Sequence, residues 1–191
     1  MKKIKDFFKM LYEYKECPKG FDFLQTYFLV FFGGCVAGWI YEELFYYFVE
    51  DKLLNSGFFY GPYLPVYGFG CLFILLCTAR FKKHPTAIFV GSMLVTGILE
   101  YITGYVMYAI WEKRWWDYRG LFLNIDGFVC LRSVLTFAVG GLAAVYFMDP
   151  FIRKFAVENP KKKTIVCAVL FVIMAIDVTC TFLFREHVPM I

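Results

Sequence analysis

The chain has 191 residues, 60% of them hydrophobic and 22% aromatic, and a formal net charge of +4. Soluble domains average roughly 45–50% apolar, so a mean hydropathy of +0.59 excludes a single water-soluble globule and makes lipid the expected solvent for much of the chain. The modest charge falls in clusters that read as topology signals and give no basis for a nucleic-acid partner.

Residues 1–20 are polar and basic, with Ile4, Phe7, Phe8 and Leu11 at helical spacing among lysines. They are expected either to lie as an amphipathic segment on the cytoplasmic membrane face or to form a frayed tail. No short apolar stretch with a small-residue cleavage site follows, so the first span is expected to act as the targeting signal. Residues 21–191 read as one transmembrane domain, an all-α polytopic bundle of about five membrane helices. The expected spans are Phe23–Val49, Leu64–Ala79, Ala87–Ile110, Phe128–Met148 and Thr164–Phe184. The second is the shortest, and glycines and prolines interrupt its start, which predicts a bent or re-entrant lead-in.

Six lysines precede the first span, Arg80, Lys82 and Lys83 follow the second, and five basic residues lie between Arg153 and Lys163. The alternate connections hold only Lys52, Lys113, Arg114, Arg119 and Arg185. This asymmetry predicts a multi-pass protein of the cell membrane with its N-terminus in the cytoplasm and its C-terminus outside.

Carboxylates interrupt these apolar segments. Glu42 and Glu43 lie in the first span, Glu100 in the third and Asp177 in the last. A charge at the bilayer centre costs about 2.5–3.5 kcal/mol on insertion scales, so such side chains face a bundle interior or a wet cavity. At about 1.5 Å per residue, Glu42, Glu100 and Asp177 each lie roughly 20 Å from the basic face. Arg132 begins the fourth span from the opposite side and reaches a similar level. One polar layer in the outer half of the bundle is therefore expected, with acidic groups in excess of the single arginine. A cation, or protons, would balance it.

Small residues accompany this layer. Gly34 and Gly38 form a step that admits a close helix neighbour. Gly97, Glu100, Tyr101 and Gly104 share one face of the third span. Between Gly57 and Gly70, Tyr60, Gly61, Pro62, Pro65 and Tyr67 belong to a run of breakers and aromatics. It reads as an irregular cavity-lining segment with free amides or as an aromatic turn at the interface. In the linker after the third span, Trp116 and Tyr118 suit the headgroup layer. Asp117 and Asn124 are expected to cap short helices or to cover the polar layer, and Asp126 to be solvated. No two His or Cys residues have metal-ligand spacing, and no phosphate loop is present, so neither a metal, a cofactor nor intrinsic ATP hydrolysis is expected. The seven cysteines form no C-x-x-C pair and read as small buried hydrophobes.

Taken in order, Gly38-Trp39-Ile-Tyr-Glu42, the Gly57–Gly70 run, Leu99-Glu100-Tyr101, Trp116-Asp117-Tyr118 and Asn124-Ile-Asp-Gly127 resemble the family called putative ABC-transporter type IV, or CmpB-like, over residues 23–148. Two positions depart from the family pattern: Ser56 and Phe128 stand where relatives carry arginine, and Arg132 follows one turn after the second. The resemblance implies a transport permease or related component. So small a bundle implies a homo-oligomer or a partner membrane subunit, with any ATPase supplied by a separate chain. Glu42, Glu43, Tyr60, Gly61, Pro62, Pro65, Tyr67, Glu100, Tyr101, Trp116, Asp117, Tyr118, Asn124 and Arg132 are the candidate ligand-binding residues. Two other classes remain compatible: a membrane-embedded acid/base enzyme using Glu42 or Glu100 on a lipid-linked substrate, and a structural or regulatory subunit.

Overall fold

The computed structural model describes residues 19–50 and 57–184, with Glu50 described in its backbone alone. The basic segment 1–20 thus falls almost wholly outside the described residues. Helices α1 (Phe21–Glu50), α2 (Pro65–Thr78), α3 (Pro85–Trp111), α4 (Leu131–Ala143), α5 (Asp149–Glu158) and α6 (Pro160–Phe184) follow in order. A π turn over Ala144–Met148 joins α4 to α5 in one continuous rod. Among the described residues, α1, α3, α4–α5 and α6 are long and apolar enough to cross a membrane, and α2 is a shorter apolar helix.

Local chemistry sets several of these boundaries. Pro65 and Pro85 open α2 and α3 at the first helical position, where a missing N–H costs nothing and φ is already helical. Helix α3 ends where Glu112 turns left-handed at φ 54° and its N–H returns to Tyr108. Helix α4 opens with a reciprocal cap between Cys130 and Ser133.

The fourth span runs ten residues past its expected end at Met148, through α5. Asp149-Pro150 looks like a stop, because an interior proline removes a donor and crowds the carbonyl four residues back. The wide turn just before it, in which Asp149 N–H reaches Ala144 O, makes room for the ring and lets the helix continue.

Helices α1, α3 and α6 run toward one end of the bundle, and α2 and α4–α5 return. Gly34 and Gly38 seat α2: a Cβ at Gly38 would lie 2.1 Å from Tyr67 Cγ, and one at Gly34 2.8 Å from Cys71 Sγ. Gly68 reciprocates against Cys35 and the Phe31 carbonyl. Between lipid-exposed helices, close backbone approach of this kind replaces the hydrophobic effect as the packing force. Val30, Ile74, Leu75, Ile88 and Val145 form the buried core beneath this contact.

At the end reached by α1, α3 and α6, the described residues between helices, 57–64 and 112–130, fold against the bundle. Residues 57–64 start at Gly57, whose φ of 118° suits only glycine. They bury Tyr63 and Leu64, and Leu64 N–H donates to the Cys35 carbonyl of α1 at 3.0 Å. Residues 112–130 fold into a cap closed by Tyr118 N–H to Gly127 O at 2.9 Å and Ile125 N–H to Val129 O at 2.9 Å. We call this the cap end and the other the paired end.

Candidate functional site

Each carboxylate of the expected polar layer lies toward the cap end, but the layer divides. Its first part joins α1, α2, α3, α4 and the cap. Tyr67 OH on α2 donates to Glu42 Oε1 on α1 at 2.9 Å. Tyr118 OH in the cap donates to Glu100 Oε1 on α3 at 2.9 Å. Ser133 OH on α4 donates to Glu100 Oε2 at 2.7 Å. Glu100 is only 4% exposed, and Glu42 acts on it electrostatically. Burial, then the charge of Glu100 beside it, holds the Tyr118 phenol far above the usual tyrosine range, so it stays the protonated donor. Among the described residues no cation pairs with either glutamate. Two carboxylates from separate helices thus sit close together, satisfied by hydroxyls alone.

The second part is a latch. Asp177 on α6 accepts from Tyr60 N–H at 3.1 Å, Gly61 N–H at 2.9 Å and Tyr63 OH at 2.5 Å. The amides of the 57–64 segment therefore bind an anion, as free amides of a broken helix do, and that anion is the chain's own Asp177. Pro62 forces the turn, and Tyr63 N–H closes it on Gly61 O at 2.9 Å. Aromatic rings cover part of this segment: Phe58 packs on Trp115, Trp111 and Phe182, and Phe59 stacks on Tyr63, while Tyr60 and Pro62 stay exposed.

The remaining sequence candidates take structural partners. Trp116 Nε1 donates to the Phe128 carbonyl at 2.8 Å, with its ring and that of Phe128 against Gly104. Of the two expected roles for Asp117 and Asn124, capping a helix is not seen. Asp117 pairs with Arg119 within the cap, and Asn124 accepts from Gly127 N–H at 3.2 Å while donating to Leu121 O at 2.9 Å. Short side chains of this type close turns as readily as they cap helices. Gly127 itself, at φ 73°, leaves room for Arg119 and Asp117 where a Cβ would collide. Asp126 is not merely solvated: it accepts from Tyr101 OH at 2.8 Å, which takes Tyr101 away from the glutamates. Pro65 opens α2, and Glu43 lies half-buried beside Glu42. Arg132 does not join the carboxylates. Its guanidinium lies 5.1 Å over the Phe45 ring.

Ser133 is the site residue that sequence reasoning missed. Its signal was Cys130-x-x-Ser133 just before an apolar run, a variant of the reciprocal capping pattern.

At the paired end, charges meet counter-charges. Arg153 binds Asp149 at 2.7 Å and donates to Tyr27 OH at 3.0 Å, and Lys163 closes on Asp22.

The sequence profile of the family described as putative ABC-transporter type IV matches residues 29–182, well into α6 and beyond the span over which the motifs alone carry the likeness. No curated protein and no solved structure matches the chain.

Proposed function

The chain belongs to the putative ABC-transporter type IV family, a transport-related membrane protein, and on that premise we propose that the Glu42–Tyr67 and Tyr118–Glu100–Ser133 centre binds a small cation, or protons coupled to transport. The observation that carries this reading is the pair of glutamates held only by hydroxyls, with no cation on either among the described residues. A buried carboxylate without a basic partner is costly, and a bound cation or proton recovers that cost. Hydroxyl donors can rotate to serve the carboxylate in either state. The chain acts as the membrane-spanning component, with its own copies or a partner membrane subunit completing the pathway. ATP hydrolysis, where used, comes from a separate chain. The cap end faces outside and the paired end the cytoplasm, in keeping with the basic-residue asymmetry. Single cysteines at Lys52, Lys83 and Lys162 are then labelled from outside, inside and inside respectively; external labelling at Lys162 contradicts that orientation.

Thermal unfolding in detergent tests the centre. Sodium, potassium, lithium and tetramethylammonium are compared at constant ionic strength and several pH values. A ligand at a hundred times its Kd stabilises by about 2.7 kcal/mol. One of these cations, or protons, is expected to raise the midpoint of the native chain and to lose that effect in Glu100→Gln. A shift that survives in Glu100→Gln and Glu42→Gln contradicts the assignment.

A further inference from the structure

A groove of about 1180 Å³ runs between α1 and the α4–α5 rod. Gly33, Ala37 and Tyr41 stand on one side, and Gly140, Ala144 and Phe147 on the other. From Thr136 to Phe155 its α4–α5 wall extends roughly 28 Å at helical rise, ample for an acyl chain in one leaflet of a roughly 30 Å hydrocarbon layer.

The groove has a polar end. One helical turn beyond Thr136 lies Arg132, and one turn beyond Tyr41 lies Phe45, with the guanidinium over that ring at 5.1 Å. Arg132 is exposed in the first turn of α4, so its side chain leans away from the groove toward the membrane surface. Among the described residues it has no carboxylate partner. Glu42 is turned onto the Tyr67 hydroxyl, and Tyr67 presents its ring to the groove.

We propose that this groove binds a phospholipid, its acyl chain along α1 and α4–α5 and its phosphate on Arg132. An apolar slot longer than one leaflet, ending in a guanidinium without a carboxylate partner among the described residues, fits such a ligand on both counts. Arginine presents a planar fork of donors matched to phosphate oxygens. A second copy docking through an apolar helix would fill the slot and leave the guanidinium without a counter-charge. The inference stands apart from the carboxylate centre, because Arg132 pairs with neither glutamate.

The test is native mass spectrometry of the full chain in neutral detergent with added phosphatidylcholine, and with diacylglycerol of the same acyl chains as the control that lacks phosphate. A phosphatidylcholine adduct is expected, with diacylglycerol bound far more weakly. Arg132→Gln should weaken the adduct about tenfold, the effect of losing one hydrogen bond to a charged group. Gly140→Leu should abolish it, because an added Cβ there meets nothing within 4 Å and the side chain fills the slot. Val169→Trp, on the exposed face of α6, should leave it unchanged. Thermal unfolding checks the fold of each variant, and Arg132→Gln keeps the test decisive should Gly140→Leu unfold. Equal binding of the two lipids, or an adduct indifferent to both Arg132→Gln and Gly140→Leu, overturns the proposal. So does a lipid-free dimer that Gly140→Leu disperses, which would assign the groove to a second copy.

Discussion

At the paired end, Asp149 and Asp22 meet Arg153 and Lys163; at the cap end, Glu42, Glu100 and Asp177 meet hydroxyls and backbone amides. Asp149 at one end and Glu100 at the other are both withdrawn from water and take different partners, whereas in the Asp22–Lys163 pair it is the lysine that is buried and the carboxylate that is exposed. An ion pair is complete in itself, and removing one member strands a charge. A carboxylate held by hydroxyls can gain a cation or a proton without losing its neighbours. On the function proposed above, the difference would assign stability to one end and ligand response to the other. Asp177 stands between the two cases, since two backbone amides join the Tyr63 and Thr181 hydroxyls among its donors and tie α6 to the 57–64 segment.

The largest expected effect comes from breaking the paired end. Asp149→Ala leaves Arg153, with its side chain 12% exposed, without its carboxylate. A loss of about 3–5 kcal/mol is expected, read from denaturant titration in mixed micelles. Next, Gly38→Ala drives a Cβ into the Tyr67 ring and should cost about 1–3 kcal/mol by overpacking. It should also disturb the Tyr67–Glu42 hydrogen bond, which links packing to the site. Asp177→Asn keeps the shape but presents one acceptor oxygen where two served four donors. A loss of about 1–2 kcal/mol is expected, with faster hydrogen exchange at Tyr60 and Gly61 and little change at the paired end.

The smallest effect is a pH response of the cap. Hydrogen bonds from Arg119 hold the Asp117 carboxyl below the usual range. Its contribution is therefore present above the unfolded value of about 3.9 and is lost as pH falls through the depressed folded value. Cap amides should exchange faster only below about pH 4, and Asp117→Asn should remove that dependence.

The helices were largely legible because membrane spans are written in length and apolarity: α1, α3 and α6 begin and end within a few residues of expectation. The continuation through α5 was not, because a π turn has no sequence signature that outweighs Asp149-Pro150. The carboxylates were legible as costly residues, and the structure brings Glu42 within electrostatic reach of Glu100. Their partners were not. Depth along a helix follows from residue count, but which neighbour a side chain meets follows from rotation and from the fold of the cap. Counting therefore placed Asp177 with the glutamates, although it latches α6 to residues 57–64, and placed Arg132 among them, although it turns to Phe45. The GxxxG step was legible in kind, and only packing showed that Tyr67 occupies it.

If the cap-end glutamates bind a cation or protons, they change state without unfolding the bundle. Glu100→Gln and Asp149→Ala, compared in one denaturant titration with and without the stabilising cation or at the stabilising pH, test this directly. Glutamine can still accept from Tyr118 or Ser133 and donate to the other, so Glu100→Gln should unfold within about 1 kcal/mol of the native chain while losing the ligand-induced shift. Asp149→Ala should unfold far earlier and keep the shift. If Glu100→Gln collapses as Asp149→Ala does, the cap-end carboxylates are structural and the division between the two ends is wrong.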